Sequence, residues 1–203
     1  SLKIATFLEA GTVTFTPIID GKVVDENQFA SLSETEINTF NSKVEGLEAL
    51  LSELIAIDRL VEAQILAHEL RDGSRRTGRA LLSVHDKLGT PLAQEFLDRV
   101  RAGDAPGHAA VAQGLVWRGV GLTLGQAELL SAHTYSIGLL GAAIRLGVIG
   151  HVDAQRILLV AQGAIAEIVG GAAPPVHEMS AFMPETEIAA MRHETAETRL
   201  FAN

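Results

Sequence analysis

The sequence predicts an all-α protein whose helical bundle is preceded by a small β-hairpin and a long helix, and three observations carry that expectation. Residues 11–24, GTVTFTPIIDGKVV, alternate Val13 and Phe15 with threonines and hold an Asp20-Gly21 turn pair, the pattern of a short hairpin. Ile37, Phe40, Val44, Leu47, Leu51 and Leu54 then recur at three- and four-residue spacing, the seam of a helix packed along a neighbour. After about residue 55, alanine and glycine become frequent and one helical pattern follows another.

Taken in order, Ser33 and Glu36 have capping-box spacing, so the long helix starts there. Its seam is interrupted at Asp58 and resumes at Val61 and Ile65. Further helices are expected over roughly 58–88, 91–102, 107–122, 124–147, 151–170 and 186–198. The breaks fall at Gly89-Thr90-Pro91, at AGDAPG, at the glycines near 147–150 and at GGAAPP. The stretch GGAAPPVHEMSAFMP reads as a linker that lets the last short helix leave the bundle.

The chain has 203 residues, enough for one core of ordinary size. A formal net charge of -9 opposes sequence-independent binding to nucleic acid or to an anionic membrane surface. With no cysteine, disulfides, thiolate metal sites and a cysteine nucleophile are excluded. Mean hydropathy is +0.24, yet Arg145 breaks one apolar stretch and Gln162 and Glu167 another, so neither reaches the roughly 20 apolar residues of a span. The amino-terminal residues do not have the pattern of a secretory signal, and the cytoplasm is the expected location.

No catalytic constellation stands out. His193-Glu194 has the start of a zinc-protease motif, but the second histidine that one helix turn would supply is replaced by Glu197. The seven histidines form no pair at metal-binding spacing, the glycine-rich stretches lack the Lys-Ser/Thr that cradles phosphates, and no nucleophile elbow is present. No resident cofactor or metal is therefore expected. Three features remain. Arg145 lies inside apolar GAAIRLGVIG, where a guanidinium snorkels outward or pairs. Arg71, Arg75, Arg76 and Arg79 share one helix of an acidic protein, in the simplest reading a solvated face. The ending TRLFAN brings Arg199, Leu200 and Phe201 to the terminus, and a greasy tail needs a dock.

ELRDGSRRTGRALL, AAIRLGVIGHVDAQRILL and MRHETAETRLFAN resemble, in order and spacing, the motifs of the UreF family of urease accessory proteins over roughly residues 55–203. The resemblance implies a UreF-like α-helical bundle and a non-catalytic chaperone role. It implies an adaptor that bridges UreD/UreH and the GTPase UreG while nickel is inserted into apo-urease, with homodimers as a further possibility. By position it assigns partner binding to Arg145, Gln155, His193, Glu194, Arg199, Leu200 and Phe201, the last five forming the docking tail. The family's usual amino-terminal motif is not found before residue 55. Residues 8–54 are instead similar to a hairpin-and-helix segment of Lon-like ATP-dependent proteases, without their nucleotide or protease motifs. Two domains, 1–54 and 55–203, and a composite origin follow from the two resemblances, with a non-catalytic Lon-like fragment or a helical oligomerisation module as the alternative functions.

Overall fold

The computed structural model describes residues 3–9, 12–19, 21–181 and 183–196. It divides into two compact units, residues 1–116 with 180–203, and residues 117–179.

The first unit opens with an antiparallel sheet in the order β1 (Lys3–Glu9), β2 (Thr12–Ile19), β3 (Lys22–Val23). Ile19 pairs directly with Lys22, and Gly21 has φ +83°, a left-handed turn position suited to glycine. The hairpin expected from residues 11–24 is therefore present, with Asp20 outside the described residues. A further strand, β1, pairs along β2 from Lys3↔Ile18 to Glu9↔Thr12. It gives no clean alternation in the sequence, because its apolar residues fall on both parities.

Helix α1 (Glu26–Ala30) is capped by Asp25 and Gln28, and its Phe29 meets Phe40 edge-on at 5.7 Å. Helix α2 (Glu34–Gln64) starts at the expected Ser33/Glu36 capping box and runs without interruption for 31 residues. The Ser33 hydrogen bonds hold the exposed Glu36 carboxyl below its usual range.

The helical pattern that the sequence carries on from residue 58 to 88 is broken at Ile65–Ala67, before α3 (His68–Lys87). No glycine or proline marks this break. Ala67 is extended (φ −69°, ψ 126°) and buried, and its N–H is taken by a side chain 120 residues away, so the break is made by tertiary contact. Next come α4 (Ala93–Ala102), against which the sheet packs, and α5 (Ala109–Gly119). Leu51, Leu82, Phe96, Leu97, Val100, Ala112 and Leu115 are buried from these four helices. The unit is completed by α8 (Pro184–Glu194), which lies on α3.

The second unit contains α6 (Leu124–Arg145) and α7 (His151–Val169), followed by a single 3-10 turn at Val176–Glu178. A Thr123/Gln126 capping box starts α6, and Gly147 at φ +72° ends its turn. Among its described residues, the linker expected over 170–184 is non-helical apart from that 3-10 turn, as its glycines and prolines require, until Pro184 starts α8. Among the described residues no helix is long and apolar enough to cross a membrane.

One contact limits how closely the first unit packs. At Gly78 on α3 an added Cβ would lie 2.2 Å from the Gly107 carbonyl oxygen and 2.7 Å from the His108 carbonyl carbon, both backbone atoms with little freedom to move. Gly78→Ala is therefore expected to destabilise the protein by about 3 kcal/mol or more. Urea unfolding of the variant beside Gly73→Ala, where the added methyl meets nothing, isolates the effect.

Candidate functional site

Most of the polar chemistry of the first unit gathers where α2, α3 and the start of α5 meet. Asp58, the residue that interrupts the α2 seam, is wholly buried. Its Oδ2 accepts the Gly107 N–H at 2.6 Å and its Oδ1 accepts the His108 N–H at 2.9 Å. A carboxylate thus holds the chain entering α5, where the helix dipole also favours negative charge. Gly107 has φ +82°, which orients these two amides toward Asp58 at a position a side chain would strain.

His108 is also wholly buried and spends both ring nitrogens inside the protein. Nε2 is 2.7 Å from Glu62 Oε2, and Nδ1 is 3.1 Å from Ser74 Oγ, which accepts the Ala109 N–H at 3.2 Å. One assignment satisfies every group. The Ser74 hydroxyl donates to Nδ1, and Nε2–H donates to an ionised Glu62.

Glu62 is held in turn by Arg75, through Nε at 2.9 Å and through Nη2, with Arg71 Nε at 3.7 Å. Burial pushes the Glu62 carboxyl up, but the hydrogen bonds from Arg75 and His108 outweigh it and hold the carboxyl below its usual range. The hydrogen bond to Glu62 likewise raises Arg75 above the ordinary guanidinium value.

Ser74, His108 and Glu62 follow the order of a nucleophile, a base and an orienting acid. Their surroundings make them a structural unit. The serine oxygen caps the first turn of α5, and the imidazole has no exposed surface at which a substrate could meet it. Among the described residues no group of three or more histidines, aspartates and glutamates is placed to hold a metal ion.

A second polar cluster joins α8 to the start of α3. Ala67 caps α3 without a side chain that can accept hydrogen bonds, so the first N–H groups need acceptors from elsewhere. Glu187 Oε2 accepts the Ala67 N–H at 2.9 Å, and Glu194 Oε1 accepts the Glu69 N–H at 2.8 Å. His193 Nδ1 lies 2.8 Å from Glu69 Oε2. Two carboxylates two helical turns apart on α8 therefore supply caps that α3 does not have, and they meet the positive end of its dipole.

The structure thus brings His193 and Glu194 together with Glu69, while Arg199, Leu200 and Phe201 lie outside the described residues. Arg145 and Gln155 belong to the other unit. Arg145 is the exposed last residue of α6, its guanidinium lying back toward Gly141, and Gln155 is exposed in the second turn of α7. The sequence reading did not single out Glu62, Ser74, His108 or Glu187. Its one clue was the charge at Asp58 inside an apolar seam.

The second unit offers a different surface. No residue of α6 is buried, and Leu129, Leu130, Ile137 and Leu139 of α6 are exposed together with Ile157, Leu159, Val160 and Ile168 of α7. A cavity of about 460 Å³ between the two helices is lined by Gln126, Leu129, Leu130, His133, Gln162 and Ile165.

Two outcomes are expected from the polar clusters. Glu62 binds its proton less readily in the folded than in the unfolded chain, so its stabilisation is complete above about pH 4.3 and is lost as pH falls through the lower folded value. In Glu62→Gln, thermal unfolding scanned from neutral to acid pH should show a shallower acid limb and, near neutrality, a loss of about 2 kcal/mol. Glu187→Ala leaves the Ala67 N–H without this acceptor and should cost about 1–2 kcal/mol, read by urea unfolding, with faster proteolysis around α8.

Comparison with known proteins places this architecture. The UreF family model matches residues 44–162. The urease accessory protein UreF of Paenarthrobacter aurescens (strain TC1) is 31% identical over 189 residues, covering 89% of this chain and 84% of the relative. That of Bacillus sp. (strain TB-90) is 28% identical over 198 residues, covering 92% and 87%. That of Yersinia pestis (strain Pestoides F) is 30% identical over 155 residues, covering 74% and 67%. The family match runs from within α2 through α3, α4, α5 and α6 into α7, more than half of the chain, and the chain belongs to the UreF family.

Proposed function

We propose that this protein is a urease accessory protein that acts as an adaptor, bridging UreD/UreH and the GTPase UreG while nickel is delivered to apo-urease. The observation that carries the reading is the breadth of the family match, since relatives bearing the name urease accessory protein UreF align over 84% and 87% of their own lengths. In this role nickel is cargo of the assembly and the chain is a binding partner, not a catalyst, working in the cytoplasm without a cofactor of its own.

The proposed partner contacts are the tail residues Arg199, Leu200 and Phe201, carried from α8, together with Arg145 and Gln155 on the α6/α7 unit. His193 and Glu194 serve this docking indirectly, because their bonds to the start of α3 fix the helix from which the tail departs. The apolar surface of α6 and α7 favours self-association as a second, compatible role.

The competing account of the amino-terminal part is a Lon-like protease segment joined to a UreF remainder. An alignment covering 92% of the chain enters the first 54 residues, which favours a single family there, whereas the unbroken α2 fits either account. A peptidase and ATP-turnover assay on the pure protein is expected to show neither activity.

The central test is complementation. Expression in a host deleted for its own UreF, grown with nickel, should restore urease activity, and failure by a well-expressed, folded chain would overturn the proposal. Removing residues 199–203 should abolish co-purification with UreD/UreH while leaving the unfolding temperature unchanged.

A further inference from the structure

Six arginines lie on α3 and α4, and the structure separates them by task. Arg71 and Arg75 turn to Glu62, and Arg99 turns to Glu48 and Asp104. The remaining three, Arg76 and Arg79 of α3 and Arg101 of α4, are all exposed. Arg76 has no hydrogen-bond or ion-pair partner among the described residues. Arg79 reaches only a backbone carbonyl, that of Pro106 at 3.4 Å. Arg101 is 3.1 Å from the buried Asp98, among the described residues the one carboxylate bonded to any of the three.

Arg79 and Arg101 line opposite sides of an open groove of about 480 Å³ between α3 and α4. Ser83, one turn beyond Arg79, adds a hydroxyl, Leu97 and Val100 form an apolar floor, and Gly103 leaves one end uncrowded. Arg76 extends the charge by one turn along the same α3 face. In a chain of net charge -9, three guanidiniums facing one carboxylate make a local reversal of sign.

We propose that this α3/α4 groove is a docking site for an acidic, extended segment of a partner protein. Its carboxylates would meet Arg79 and Arg101, with Arg76 engaging the segment beyond the groove and an apolar side chain resting on Leu97 and Val100. Guanidiniums match carboxylates through paired N–H groups, and the apolar floor offers a small anion such as phosphate nothing to bury. The site lies apart from α8 and the tail in sequence and does not depend on the adaptor role.

The test uses the full chain and a fluorescent eight-residue peptide of alternating glutamate and leucine, with its glutamine counterpart as control. Anisotropy should show saturable binding of the glutamate peptide that weakens with salt, and at least about tenfold weaker binding after Arg79→Glu with Arg101→Glu. Arg76→Glu removes no described contact, so it guards against misfolding and should weaken binding about threefold. Equal binding of the glutamine peptide, unchanged affinity in the folded Arg76 and double variants, or displacement by inorganic phosphate at concentrations matching the peptide would each overturn the proposal.

Discussion

The first unit depends on the carboxylate of Asp58. It satisfies two adjacent backbone N–H groups at a point where α3 is so close that no side chain fits at Gly78. Without it, two buried donors would lose their acceptor, each at a cost of about 1–3 kcal/mol. With it, His108 is held between Ser74 and Glu62, and Glu62 gathers Arg75 and Arg71. One buried charge therefore fixes the spacing of three helices. The arrangement is stable because each partner is itself hydrogen-bonded, which is the condition under which buried polar networks specify a structure instead of weakening it.

Features set by neighbouring residues were legible in the sequence. The Ser33/Glu36 cap, the Gly21 turn and the glycine-rich ends of α6 and α7 rest on contacts a few residues apart, and residue type alone decides them. The break between α2 and α3 was not legible, since Ile65-Leu66-Ala67 has ordinary helix-forming chemistry and yields to a carboxylate on α8. The same holds for the polar centre. His108 lies 34 residues from Ser74 and 46 from Glu62, separations at which no spacing rule applies. The arginine-rich stretch of α3 looked like one solvated face and is two, one side spent on Glu62 and the other outward.

The two units solve opposite problems. The first encloses charged groups and satisfies them internally, which suits a rigid frame. The second leaves leucine, isoleucine and valine exposed on both of its long helices, a surface that would ordinarily be buried against another protein. The proposed adaptor role would use both properties, a frame that keeps its shape and an apolar face open to a partner.

The capping of α3 by α8 also constrains the order in which the protein can be made. Glu187 and Glu194 stand 120 and 125 residues beyond the amides they satisfy. On the ribosome, the first amides of α3 must wait for these acceptors, bonded to water meanwhile, until nearly the whole chain has been synthesised. Contacts of such long sequence separation are the slow ones in folding. Completion of the frame is thus tied to arrival of the carboxyl-terminal helix, so a nascent chain cut short before α8 has an α3 whose first amides lack these acceptors.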